Sequence, residues 1–358
     1  MISEDIAQQV LNIGCKYNNP KGGVAQVLKS YELSIYPIFK HVTNSGEGSR
    51  IYKLYKAISA LIIMTLKLIF DKRIKIVHIH TASYNSFKRS SWFVRLAKIF
   101  RKKAILHIHG GGFKEYYTSN KEYVTNILNK CDCIITLSKS WKIYFEQITN
   151  CKQIEIVENI IESPSVLTTL KDPTKIHFLF LGLITEEKGI FDLLEVISAN
   201  KREWKDKLCL HVGGNGKINE LNHIINNNEL KDMVIFEGWV SGDRKIQLLN
   251  IADAYILPSY TEGVPISILE SMSYGLPILS TPVGGIPEIV DNTNGILFTP
   301  GDKKELSLAI ETILQSPLLR KEMGEKSKIK SQPHLPENIG HKLEKIYSQM
   351  LKLEKQTI

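Results

Sequence analysis

The chain has 358 residues, 43% hydrophobic and 23% charged, with a formal net charge of +9. That length exceeds one ordinary domain and predicts two of about 150–200 residues, and the composition is that of a globular chain. Its five cysteines, Cys15, Cys131, Cys133, Cys151 and Cys209, form no CxxC pair, which argues against a disulfide framework or zinc ribbon and for a reducing compartment.

In chain order, short apolar runs alternate with longer amphipathic stretches, the pattern of parallel sheets with crossover helices. QQVLNIGC reads as a strand and GVAQVLKSYELSI as the helix after it. The longest apolar stretch, Leu54–Phe70, is interrupted by Lys56 and Lys67 and is too short to span a bilayer, so it predicts a mostly buried helix, with an interfacial helix as the alternative. IKIVHIH, KAILHIH, DCIITLS and QIEIVEN then read as strands separated by helices such as SWFVRLAKIF and EYVTNILNKC. Pro, Ser and Thr break the periodicity between Ile161 and Lys175, which marks a domain boundary. The alternation restarts with strands IHFLFLG, KLCLHVGG, MVIFEGWV, DAYILPS, LPILSTP and GILF, joined by helices including IFDLLEVISAN, RKIQLLNIA and ISILESMSYG. A tail from Leu335 has helical spacing of Ile339, Leu343, Ile346, Tyr347, Met350 and Leu351. The expected domains are therefore 1–165, 166–334 and a terminal helix, 335–358.

Charge is uneven. Residues 1–110 hold 18 Lys+Arg against 5 Asp+Glu, or +13, leaving −4 for the remainder. No RNP-like aromatic pattern, helix-turn-helix or zinc finger accompanies the basic half, so nucleic acid is not an expected partner. An anionic membrane surface, a phosphorylated acceptor and a plain solvated surface remain open. The opening MISEDIAQQV carries acids where a secretory signal carries bases, so the expected location is cytoplasmic, with peripheral contact at the cytoplasmic membrane face if the interfacial reading holds.

Parallel α/β sheets bind ligands where strand ends enter helices. The segment Tyr260–Val290 is the most informative such place. Glu262 follows a strand, Glu270 lies eight residues later on a helix, and Gly263, Val264 and Pro265 lead into a helix start at Ile266 and Ser267, where free amides favour an anion. Gly284-Gly285 forms a second turn after the next strand and, before IPEIV, predicts another helix start aimed at the same place. Lys188, in FLGLITEEKG, offers a point charge to a diphosphate. Gly214, in HVGGNG, and Val240, in FEGWV, sit at further strand ends, while Gly22 and Gly23 separate the first strand from its helix and let backbone approach a ligand. His78, His80, His107 and His109 form two HxH pairs, with His109 at the end of a strand before Gly110–Gly112. Residues i and i+2 share a strand face, which would suit a metal, but no acidic third ligand is near in sequence and no metal is expected.

These residues resemble the EX7E signature of retaining glycosyltransferases of the GT-B fold, glycosyltransferase family 4, over roughly Gly14–Pro300. The resemblance implies two doubly wound Rossmann-like domains facing across a cleft, the second holding most of the donor, with the C-terminal helix crossing back onto the first. It implies a UDP- or GDP-linked nucleotide diphosphate sugar as donor, with no further cofactor and no metal, and a glycan or lipid-linked glycan as acceptor, in capsule or exopolysaccharide assembly. In that family the second glutamate holds the ribose, the first contacts the transferred sugar, and the helix start holds the diphosphate. Those roles fall on Glu270, Glu262 and the amides near Pro265–Ser267, with Lys188 on the leaving group, His109 under the sugar, Gly22-Gly23 over the diphosphate, and the Gly214 and Val240 loops beside the base. Leu183 departs from the family, which usually carries an arginine there. The alternatives are a non-catalytic nucleotide-sugar-binding partner subunit and a GT-B epimerase or hydrolase. The resemblance does not specify sugar, linkage or oligomeric state.

Overall fold

The computed structural model describes residues 1–18, 22–46, 48–167 and 172–355, and divides into one unit of Met1–Glu162 with Pro333–Ile358 and another of Ser163–Gln332. Asn19–Lys21, which precede the first glycine pair, and residues 168–171, within the boundary segment, lie outside the described residues.

The first unit contains β1 (Val10–Cys15), β2 (His41–Ser45), β3 (Ile76–Thr81), β4 (Lys103–Ile108), β5 (Cys133–Thr136) and β6 (Ile154–Ile156), in the order β2-β1-β3-β4-β5-β6. All neighbours are parallel. Val77, Ile79, Leu106 and Ile134 are buried on one side of this sheet against Phe87, Phe93, Val94 and Phe113, which is why these strands read as nearly unbroken apolar runs. Gln8 and Gln9, read as part of the first strand, end a short helix, Glu4–Gln9. The strand β2 had no apolar run to betray it, since HVTNS is mostly polar.

The C-terminal helix, Pro336–Lys355, belongs to this unit. Ile339, Leu343, Ile346, Tyr347 and Met350 are buried along one stripe, and burying side chains of this size contributes roughly 1.5–3 kcal/mol each before the entropy cost of ordering them. Lys342 pairs with Glu158, and the Tyr347 hydroxyl lies 2.6 Å from His78 Nδ1 and 2.5 Å from the Tyr36 hydroxyl.

One expectation fails. The helix Arg50–Phe70 buries only a stripe of Ala57, Ala60, Met64 and Leu68, and leaves Leu54, Ile58, Ile62, Ile63, Leu66 and Phe70 exposed. A helix that is apolar all round reads as buried, but a single stripe suffices to dock this one, and none of the described residues of the first unit covers the rest. No helix among the described residues is long and apolar enough to cross a membrane.

The second unit contains β7 (Ile176–Leu181), β8 (Leu208–Gly213), β9 (Val234–Gly238), β10 (Ala254–Leu257), β11 (Ile278–Ser280) and β12 (Gly295–Leu297), ordered β12-β11-β10-β7-β8-β9 and again all parallel. The order reverses between β7 and β10, and at such a reversal point parallel α/β sheets place their ligand sites, beyond the carboxyl ends of the strands. Two helices, Lys303–Gln315 and Pro317–Ser331, follow β12 where the sequence reading assigned none. Both are capped by side chains, Asp302 on the amides of Lys304 and Glu305, and Ser316 on that of Leu319.

Candidate active site

The reversal point of the second sheet collects the charged residues. After β7, Glu186–Lys188 form a 3₁₀ turn closed by Gly189 at φ 67°. A Cβ there would lie 2.0 Å from the Pro258 carbonyl oxygen, so only glycine lets the two loops meet. After β10, Tyr260 N donates to Glu187 O at 2.9 Å, which ties the same loops a second time. Held this way, Lys188 Nζ lies 2.5 Å from Glu262 Oε1, which also accepts from Ser259 Oγ at 2.8 Å. The Glu262 side chain is only 9% exposed, so its charge depends on these two donors.

Pro265 caps the helix Ile266–Ser273 with φ −67°, and no side chain caps its first amides. Ser267 Oγ, in the first turn, accepts from the Tyr255 hydroxyl at 2.7 Å. Burial pushes the Tyr255 phenol up, against the opposing effect of the Ser267 hydrogen bond, so it stays protonated, and its hydroxyl also lies 3.0 Å from the Leu181 carbonyl oxygen. Gly263 accepts from Gly285 N at 2.7 Å, and Gly284, at φ 59°, approaches so closely that a Cβ would lie 2.1 Å from the Glu262 carbonyl oxygen. The two turns therefore form one structure. The segment after Gly284-Gly285 is a three-residue 3₁₀ turn, Ile286–Glu288, with Pro287 in its first turn, and not the start of a longer helix: the chain turns away directly afterwards, where Asn294 N donates to Asp291 O. Val264 is buried beneath this junction.

Glu270 is about one turn into the helix and buried, with Lys245 Nζ 2.6 Å from its Oε1. Lys245 escaped the sequence reading because a lysine at the start of RKIQLLNIA looks like an ordinary solvated helix residue. Ser259, which holds Glu262, was equally silent. Gly214 N donates to Gly238 O at 2.7 Å, and its own Cβ position would fall 1.8 Å from Gly182 O. Val240 packs on Gly213, so the loops after β7, β8 and β9 close onto one another. Leu183 projects outward, 47% exposed.

In the first unit the sheet order reverses between β1 and β3. Gly22, in extended backbone, caps the helix Gly23–Ser34 without a side-chain partner for its amides. At the end of β4, His109 N donates to Thr81 O at 2.8 Å, and its ring stacks 4.0 Å from that of His107, with Nε2 3.1 Å from His80 Nδ1. Burial pushes His109 down to about 3, against the opposing effect of Asn159, so the ring is neutral near pH 7. His78, His80 and His107 are buried, and their nearest nitrogens lie within 4.8 Å of one another. His78 bonds to Tyr347, and His78 Nε2 lies 3.3 Å from His107 Nδ1. Each ring thus has a structural partner within its own unit.

Residues 168–330 match the family described as glycosyl transferases group 1. An uncharacterized glycosyltransferase of Methanocaldococcus jannaschii is 29% identical over 251 residues, 64% of this chain and 64% of that protein. The amylovoran biosynthesis glycosyltransferase AmsK of Erwinia amylovora is 23% identical over 234 residues, 62% of this chain and 58% of that protein. In both, the alignment spans less than two thirds of the relative's length. Among solved structures, sucrose-phosphate synthase of Thermosynechococcus elongatus superposes with a TM-score of 0.78 at 15% identity, over 96% of this chain and all 100% of that one. Anabaena HepE, solved in complex with UDP, superposes with a TM-score of 0.73 at 15% identity, over 95% of this chain and 100% of that one. Residues 168–330 are therefore similar to the group 1 glycosyl transferases, in a chain whose two six-stranded halves have the GT-B fold.

Proposed function

We propose that this chain is a retaining glycosyltransferase that moves a sugar from a nucleotide diphosphate sugar to a glycan or lipid-linked glycan, without a catalytic metal. The observation that carries the reading is the meeting of Lys188 and Glu262 at the reversal point of the second sheet, next to the uncapped helix start at Ile266. Lys188 and the amides of Ile266 and Ser267 meet the charge that grows on the departing diphosphate. Glu270 accepts from the ribose hydroxyls, taking them in place of Lys245. The Gly214 and Val240 loops border the base.

The sugar gains oxocarbenium character as the bond to phosphate lengthens. Glu262 stabilises it as an anion, and His109 is assigned to the sugar as a neutral ring that does not repel the developing cation. No side chain is assigned as covalent nucleophile. The acceptor attacks from the face that the diphosphate leaves, and the phosphate takes its proton, which retains the anomeric configuration. Gly22 and Gly23 give the diphosphate further backbone donors.

AmsK is named for amylovoran biosynthesis, and a WcaL protein of Escherichia coli is named a putative colanic acid biosynthesis glycosyltransferase. Structures of HepE contain UDP, and one contains UDP-glucose. These support a UDP-sugar donor and polysaccharide assembly. The outward apolar face of Arg50–Phe70, flanked by Lys53, Lys56, Lys67 and Lys72, supports peripheral binding to an anionic membrane surface, where a lipid-linked acceptor resides.

A panel of UDP- and GDP-sugars, read by thermal stabilisation and slow donor hydrolysis, identifies the donor. NMR of the product then reads the anomeric configuration, and an inverted product overturns the mechanism. The absence of a cation at Leu183 favours one second reading, a non-catalytic nucleotide-sugar-binding subunit, for which the same panel gives stabilisation without hydrolysis or transfer.

A further inference from the structure

The second unit carries another cluster, on β7 and β8, that this mechanism does not use. His177 and Cys209 are register partners, each the second residue of its strand, and His211 follows two residues along on the same face of β8. All three are buried, 4–5% exposed. They lie toward the amino-terminal halves of these strands, whereas Lys188 and the Gly214 loop follow the carboxyl ends.

The outer nitrogen of each ring is committed. His211 Nδ1 lies 2.8 Å from Glu237 Oε1, and His177 Nε2 lies 3.0 Å from the Asp172 carbonyl oxygen. A carbonyl oxygen only accepts, and the Glu237 carboxylate, which also takes two hydrogen bonds from Arg244, does likewise. Both outer nitrogens therefore carry the hydrogen. In neutral rings the inner nitrogens, His177 Nδ1 and His211 Nε2, are then bare lone pairs, yet they face each other at 2.9 Å. Cys209 Sγ lies 3.7 Å from His211 Nε2. Two imidazole lone pairs and a sulfur converge on one point, and like lone pairs at that separation repel unless a positive centre lies between them.

We propose that His177 Nδ1, Cys209 Sγ and His211 Nε2 form a binding site for a borderline-soft transition-metal ion of the zinc class. The donor set is N₂S, which selects zinc-like ions over magnesium or calcium. Glu237 behind His211 and the Asp172 carbonyl behind His177 are the outer partners that hold a ligating imidazole in one tautomer. Tetrahedral zinc places nitrogens about 3.3 Å apart and nitrogen about 3.6 Å from sulfur. The observed 3.7 Å matches the second, and the 2.9 Å pair must open by a few tenths of an ångström. The three side chains leave the fourth position of a tetrahedral ion to a non-protein ligand such as water; the ion ties β7 to β8 and, through Glu237, to β9, and the assignment is independent of the glycosyl-transfer reading.

The test uses the full chain, stripped with a chelator, dialysed and titrated with Co²⁺. The expected result is one equivalent bound with a thiolate-to-cobalt charge-transfer band and the intense visible bands of a four-coordinate ion. Zn²⁺ displaces the cobalt and Mg²⁺ does not. Cys209→Ser, close in size, abolishes the charge-transfer band and weakens binding by more than about tenfold, the smallest loss expected even for an outer partner, while its circular dichroism stays that of the parent. His211→Gln weakens binding similarly. Cobalt bound without a thiolate band, or bound equally by Cys209→Ser, overturns the site and moves the metal to the His78, His80 and His107 group. No binding at micromolar cobalt also overturns it, and a proton shared between His177 and His211 is then the positive centre. Should Cys209→Ser fail to fold, the parent's thiolate band and its thermal stabilisation by Zn²⁺ but not Mg²⁺ decide the question.

Discussion

Lys188 and Glu262, 74 residues apart in sequence, form a 2.5 Å charge-assisted hydrogen bond across the loops after β7 and β10. The bond exists because Gly189 lets the first loop press against Pro258 and because Gly284 lets a third loop press against Glu262 itself. Each partner shields the other's charge, so a bound diphosphate must compete with Glu262 for Lys188. As the transition state gathers more negative charge on the leaving group, that competition shifts toward the diphosphate.

Lys188→Ala is therefore expected to lower kcat by about 10²–10³-fold while changing the donor affinity by much less. Steady-state kinetics with calorimetric donor titration separates the two. Equal losses in rate and affinity would remove Lys188 from the leaving group.

Glu270→Ala should weaken nucleotide-sugar binding by about 1.5–3 kcal/mol, the size of a lost hydrogen bond to a charged group. The same substitution leaves Lys245 without this carboxylate partner. Unchanged binding in calorimetry would take the ribose role from Glu270.

Gly284→Ala places a Cβ 2.1 Å from the Glu262 carbonyl oxygen at a φ of 59° that an L residue rarely adopts. The expected cost is about 1–3 kcal/mol of stability, read as a lower denaturation midpoint, together with a donor affinity reduced because Glu262 and Gly263 move. Ala at Gly22, where the backbone is extended and a Cβ meets nothing within 4 Å, serves as the tolerant comparison for stability.

Stability should fall in mild acid. Burial holds His78 down to about 3 and His41 to about 4, with His109 also at about 3, all below the ordinary value of about 6.5. The unfolded chain takes up these protons as pH drops through 6.5, while the folded chain refuses them until about 3–4. The sign is therefore a loss of stability on acidification, fully absent above pH 7 and growing by roughly 1.4 kcal/mol per pH unit for each such histidine. Urea midpoints between pH 7.5 and 5 measure it. A flat profile would mean that these rings protonate in place.

Anionic vesicles should sediment the protein at low salt and release it at high salt, and neutral vesicles should bind weakly. Ile62→Glu with Leu66→Glu changes only outward side chains and should abolish the anionic binding with little effect on stability. A protein that stays in the supernatant at low salt with anionic vesicles would sink the membrane reading and favour a soluble acceptor.

The sequence by itself determined the alternation of strands and helices, the break near Ile161 and the buried stripe of the last helix, because apolar periodicity is a local property that each segment carries alone. It also marked Lys188 and Glu262, which follow apolar strands beside turn glycines, and Glu270, eight residues beyond Glu262 on the next helix. It did not mark β2, which is mostly polar, or the helix Pro317–Ser331, whose apolar content is low, nor did it assign the helix Lys303–Gln315, although Leu306, Ala309, Ile310 and Ile313 have helical spacing. Only the tertiary structure decided which face of Arg50–Phe70 stays exposed, because hydrophobicity measures the wish for burial and not the area available to provide it. Only the tertiary structure joined Lys245 to Glu270 and brought His177 to His211, 34 residues away, because contacts across a parallel sheet are set by strand order, and that order is written in no single segment.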